Sequence, residues 1–129
     1  MLAMNRVLLG GTIAREPEII QTNRGTPIAK FILKTNTHFT SASGVRKKES
    51  SYFEVDSFGD AANIIGNDFS KGDFVLIDGR LKQERWESKA GSICTRIKVI
   101  VSSISHAEKE LTRETDKEEY LETVSAPTF

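Results

Sequence analysis

Cysteine occurs once in the 129 residues, at Cys94, so no internal disulfide can form. The two histidines, His38 and His106, stand far from it and from each other, and no Cys/His cluster has zinc-binding spacing. No apolar run approaches the roughly 20 residues that a membrane-spanning helix needs, so no membrane association is expected. The opening Met1-Leu2-Ala3-Met4-Asn5-Arg6 lacks a long apolar core, so no signal peptide is expected, and the expected location is a reducing cytoplasm. Phosphate-loop, nucleophile-elbow and metalloprotease signatures are missing, and the Gly10-Gly11 pair lacks phosphate-loop spacing. With no nucleophile or base beside a partner, the expectation is a protein that is not an enzyme, with no catalytic residue, metal or cofactor. Among 18 acidic residues, a pair such as Glu54 and Asp56 is more simply read as surface carboxylates than as an acid/base couple.

What is present is one domain's worth of chain, 38% hydrophobic and 28% charged, enough for one core under a solvated surface. The formal net charge of zero conceals an asymmetry. Residues 1–106 carry 15 Lys+Arg against 11 Asp+Glu, a surplus of four, and residues 107–129 carry 3 against 7, a deficit of four. This divides the chain into a folded, basic domain (1–106) and an acidic, flexible tail (107–129).

Within the body the pattern is that of strands. Asn5–Ala14 is apolar around the Gly10-Gly11 pair, which predicts a bend or bulge of the kind found at barrel corners. Glu16-Pro17 and Asn23–Pro27 are turn chemistry, and Glu18–Thr22 between them reads as a minor strand. Ile28–Thr37 alternates: Ala29, Phe31, Leu33 and Thr35 form an inward set, with Lys30 and Lys34 on the other face. Residues 38–50 are polar and basic and read as a long flexible hairpin loop. In Ser51–Phe58 the positions 53, 55 and 57 face one way and Tyr52, Glu54, Asp56 and Phe58 the other. Residues 59–70 read as one short helix. Phe74–Glu87 sets Val75, Ile77, Gly79 and Leu81 inward against Arg80, Lys82, Glu84 and Trp86 outward. Ser92–Ile104 sets Ile93, Thr95, Ile97, Val99 and Val101 inward against Cys94, Arg96, Lys98 and Ile100 outward. Five main strands with one helix between the third and fourth predict an all-β, Greek-key OB-fold barrel.

One constellation crosses these strands. Lys30, Lys34, Arg80, Lys82, Arg96 and Lys98 take outward positions in three of them, and Tyr52, Phe58 and Trp86 share that outward parity. Phe39 opens the basic segment that holds Arg46, Lys47 and Lys48. Unpaired nucleic acid needs both kinds of group, since cations neutralise phosphates while rings stack on splayed bases, at about 1–3 kcal/mol per base. Outward lysines and arginines are also the ordinary solvated face of a sheet. Phe31, Phe53, Phe69 and Phe74 are read as core, Phe58 is compatible with packing beneath the helix, and Tyr52 with a subunit interface.

The pieces Met4–Gly10 with Arg15–Glu18, Gly25–Phe31, Phe58-Gly59, Lys71–Asp73 and Asp78–Leu81 ending in Trp86 resemble, in order and spacing, the bacterial single-stranded DNA-binding protein family. The resemblance runs from Met4 to about Ser105, which also suggests Met4 as an alternative start. It implies an OB-fold, sequence-tolerant binding and protection of single-stranded DNA in replication, recombination and repair, a homotetramer, and a nucleoid-associated place in the cytoplasm. It places stacking rings at Phe39, Tyr52, Phe58 and Trp86, the first two commonly tryptophan in the family. Two departures stand out. Glu54 and Asp56 lie on the implied binding face, where they repel phosphate unless neighbouring lysines pair with them. The family's tail closes on an acidic tip ending Pro-Phe that recruits replication and repair proteins. This chain ends Ser125-Ala126-Pro127-Thr128-Phe129 with no acid in its last six residues, which weighs against such recruitment. The alternatives are a relative of primosomal replication protein N, acting through protein partners, and an OB-type tRNA- or oligosaccharide-binding module serving an enzyme in trans.

Overall fold

The computed structural model describes residues 2–107. Six strands and one helix follow one another as β1 (Val7–Ile13), β2 (Glu18–Gln21), β3 (Pro27–Thr40), β4 (Arg46–Phe58), α1 (Asp60–Asp68), β5 (Phe74–Glu87) and β6 (Ile93–His106). The sheet order is β1-β5-β6-β4-β3-β2, and a further β1–β3 pairing closes β1, β5, β6, β4 and β3 into a five-stranded barrel. The minor strand expected at 18–22 is β2, which pairs only with the flank of β3. All pairings are antiparallel except β4–β6, where Val55 and Asp56 run parallel to Val99 and Ile100.

Glycines make the closure possible. β1 pairs with β5 from Val7 to Thr12 and also meets β3 at Thr12 and Ile13, so it changes partner around Gly11. A Cβ on Gly11 would lie 2.3 Å from the Lys34 carbonyl oxygen. Gly79 plays the same part across the barrel: a Cβ there would lie 2.2 Å from the Ile100 carbonyl oxygen, next to the β5–β6 register shift at Asp78/Gly79. Only a residue without a side chain lets the two backbones come this close.

The alternating inward residues fill the barrel. Ile13, Ala29, Phe31, Leu33, Val55, Val75, Ile77, Val99 and Val101 are buried, and α1 closes one end with Ala62 and Ile65, followed by Phe69. The register shift lets β6 keep Val101 inside while Ile104, opposite Ile77, also packs on the core.

Three expectations need correction. The segment 38–50 is not a loop: β3 and β4 pair without interruption from Ile28↔Phe58 to Thr40↔Arg46, so the turn itself is confined to 41–45. Alternation in hydropathy reports a strand only where one face is buried, and in this ribbon, where Phe39 is the one apolar ring, neither face meets the core. Leu81, Ile93 and Ile97 have inward parity but are exposed: Ile97 at 61% and Ile93 at 63% lie where the β5–β6 ladder runs on to Glu87↔Ile93 beyond the barrel wall, and Leu81 lies at its rim, opposite buried Val99. Phe53, read as core, is at 37% exposure while Phe31 and Phe69 are buried. The expected tail lies outside the described residues apart from Ala107, whose N–H donates to the Phe74 carbonyl at 2.8 Å.

Candidate nucleic-acid interface

Register places the outward residues in rows. Lys30 lies opposite Asp56, Asp56 beside Ile100, and Ile100 opposite Arg80, so one row crosses β3, β4, β6 and β5. Farther along the sheet, Ile32 faces Glu54 and Lys82 faces Lys98; then Lys34 faces Tyr52 and Glu84 faces Arg96. Trp86 lies opposite Cys94 near the hairpin tip, and Phe58 opposite Ile28 at the other end. Cross-strand neighbours share a face, so the cations and rings of four separate strands occupy one surface, as period-2 counting predicts.

The rings on this surface are open to solvent: Tyr52 is 61% exposed, Trp86 45% and Phe58 42%. The Arg96 guanidinium carbon sits 5.4 Å from the Trp86 ring centroid, in cation–π range. Phe39 is exposed too, but it lies opposite Lys47 at the parity of Leu33, on the other side of the β3–β4 ribbon from Tyr52 by pleat count. Arg46, opposite Thr40, and Lys48, opposite His38, return to the Tyr52 side.

The outward cations are not equivalent. Arg80 and Lys82 are exposed, and Lys34 is half-buried. Lys98, expected among the phosphate contacts, has outward parity but is only 5% exposed. Its ammonium donates to Asp56 Oδ2 at 2.7 Å and makes a close ion pair with Glu84 Oε1. Lys30 reaches the same Asp56 oxygen at 3.1 Å. Burial is the largest single influence on Lys98 and favours its neutral form, yet hydrogen bonding and attraction to Asp56 and Glu84 together hold its pKa above the usual lysine value. Glu84 is held below the usual carboxylate range, chiefly by the hydrogen bond from Lys98. Arg96 is shared more loosely, with Nε 3.5 Å from Glu84 and Nη1 3.8 Å from Glu54. A cleft of about 290 Å3 opens beside this network between Arg15, Lys30, Glu54, Asp56, Arg96 and Lys98.

Sequence reasoning placed Tyr52, Phe58, Trp86 and the exposed cations outward, as they are, but did not find the buried Asp56–Lys98–Glu84 network. The signal was there, in opposite charges at matching parity on β4, β5 and β6. Using it required knowing that β4 and β6 are neighbours.

The sequence matches the model of the single-strand binding protein family over residues 4–107. The chain belongs to this family. Among curated relatives, it is 34% identical over 101 residues to a single-stranded DNA-binding protein of Aquifex aeolicus, covering 78% of this chain and 68% of that one. It is 32% identical over 121 residues to single-stranded DNA-binding protein 1 of Staphylococcus aureus, covering 94% and 76% respectively. Among solved structures, a deletion mutant of the single-stranded DNA binding protein of Thermus aquaticus superposes with a TM-score of 0.74 at 27% identity, over 83% of this chain and 52% of that one. The Plasmodium falciparum single-strand binding protein, solved in complex with single-stranded DNA, superposes with a TM-score of 0.78 at 20% identity and shares the barrel fold, over 84% of this chain and 98% of that one. Among the described residues no helix is long and apolar enough to cross a membrane, and no group of His, Cys, Asp and Glu is arranged to hold a metal ion.

Proposed function

We propose that this single-strand binding family member binds single-stranded DNA with little sequence preference, as a binding protein rather than an enzyme, and shields it during replication, recombination and repair. The observation that carries the reading is the surface on which exposed Tyr52, Phe58 and Trp86 lie among Lys34, Arg80 and Lys82. Bases stack on the rings, and phosphates run between the exposed cations, with Lys30, Arg96 and the Arg46–Lys48 segment at the margins. Phe39 serves a strand that passes around the edge of the ribbon. Lys98 belongs to this site as the residue that neutralises Asp56 and Glu84, not as a phosphate ligand. The family supports a cytoplasmic, nucleoid-associated protein and a homotetramer in solution.

Trp86 is the only tryptophan, so its fluorescence reports on the site directly. Titration with oligo-dT at two salt concentrations is expected to quench it, with the logarithm of the binding constant falling against the logarithm of salt by about 0.7 per phosphate contact. Duplex of equal length is expected to compete poorly, because stacking requires splayed bases. A salt-independent titration, or equal affinity for duplex, would overturn the proposal. A mass measurement of the free protein tests the tetramer.

A further inference from the structure

The two interior cations of the interface are held in different ways. Lys98 is buried, and its charge is consumed by Asp56 at 2.7 Å and by the close contact with Glu84. The side chain of Arg96 is 46% exposed and that of Glu54 48%, their closest approach is 3.8 Å, and the approach to Glu84 is 3.5 Å. Both distances exceed the 2.7–2.9 Å or so of a charge-assisted hydrogen bond, so the guanidinium is attracted without being locked. The same guanidinium lies over the Trp86 ring at 5.4 Å. One loosely held cation therefore sits between a solvent-facing carboxylate and the ring on which a base would stack.

From this geometry we infer that Glu54 is an affinity-setting residue of the interface, an internal stand-in for phosphate. In the free protein it keeps Arg96 against Trp86 together with Glu84, the nearer carboxylate at 3.5 Å but one already shared with Lys98; when a strand arrives, Arg96 leaves Glu54 for a phosphate and one face of the indole opens to a base. The inference rests on the proposed single-strand binding. A guanidinium binds a phosphate through two parallel N–H···O contacts, which a carboxylate 3.8 Å away does not offer, so the exchange runs in the strand's favour. Its cost is the Glu54 charge left facing the bound backbone. Glu54 thus lowers affinity twice, by competing for Arg96 and by repelling phosphate.

The test is a cycle of Glu54→Gln, Arg96→Gln and the double variant, all at exposed positions, titrated with oligo-dT through Trp86 fluorescence. Glu54→Gln is expected to tighten binding about two- to fivefold at low salt, with the gain shrinking as salt rises. The gain must be larger with Arg96 present than in the Arg96→Gln background. Acrylamide quenching of Trp86 in the DNA-free protein gives a second readout: Arg96→Gln is expected to increase it, and Glu54→Gln to increase it in part. Equal gains in both backgrounds would show that Glu54 acts by repulsion alone and would overturn the inference. So would quenching unchanged by either substitution. Failure of the unsubstituted protein to bind oligo-dT would overturn the proposed function itself, and quenching would then still report whether Glu54 restrains Arg96.

Discussion

Removing the Lys98 ammonium leaves Asp56, only 5% exposed, with Lys30 as its remaining cation. Lys98→Met is therefore expected to destabilise the fold by about 3 kcal/mol, the lower end for a broken buried pair. The double variant Asp56→Val/Lys98→Met is expected to recover part of that loss, because the buried Asp56 charge goes with its partner while Glu84 keeps only Arg96 at 3.5 Å. Urea midpoints of the two single variants and the double variant check this. The network also sets a pH window. Glu84 has a lowered pKa, so its contribution is complete above the ordinary value of 4.5 and is lost as pH falls through the lower folded value. Lys98 has a raised pKa, so its contribution is complete below the ordinary 10.5 and is lost as pH rises through the higher folded value. Glu84→Gln is expected to flatten the acid limb of the stability–pH profile measured by chemical denaturation. For binding, Trp86→Ala is expected to cost about 1–3 kcal/mol of oligo-dT affinity, read by anisotropy of labelled DNA at moderate salt. An unchanged affinity would remove stacking from that position.

The elements were legible wherever a strand borders the core. β1 reads as an apolar run around its glycines, and the first half of β3, the second half of β4 and the start of β5 alternate because one face meets the barrel interior, so parity alone identified Leu33, Val55, Val75 and Ile77. Legibility failed where strands leave the barrel. The outer β3–β4 ribbon has no buried face, so His38–Thr40 and Arg46–Ser50 read as loop although they continue the ladder. On β6, counting from one end placed Ile97 inside with Val99, and only the closed barrel shows that the wall ends between them. The corner expected at Gly10-Gly11 is present, and the structure assigns the need to Gly11. Gly11→Ala and Gly79→Ala each press a methyl against a backbone oxygen and are expected to destabilise by about 1–3 kcal/mol or more. Gly10→Ala meets the flexible end of the Leu76 side chain at 3.1 Å and is expected to be milder. Thermal or urea denaturation of the three variants ranks them.

Across the whole molecule the face proposed for DNA is less positive than its count of lysines and arginines. Asp56, Glu84 and Glu54 draw on Lys98, Lys30 and Arg96, which leaves Lys34, Arg80 and Lys82 as the cations of the sheet face with least call on their charge among those described there. The expected salt slope therefore reflects fewer phosphate contacts than the six sheet lysines and arginines read from the sequence. The sequence could not show this, because Lys98 and Asp56 lie 42 residues apart and meet through the parallel β4–β6 contact. The β3–β4 ribbon carries a different consequence. Thirteen consecutive residue pairs tie it from Ile28↔Phe58 to Thr40↔Arg46. An arm whose backbone is already laddered has no structure left to acquire when a ligand reaches it. Its engagement adds little conformational entropy loss and little of the heat-capacity change that accompanies coupled folding, so calorimetry should register the contact of a preformed jaw.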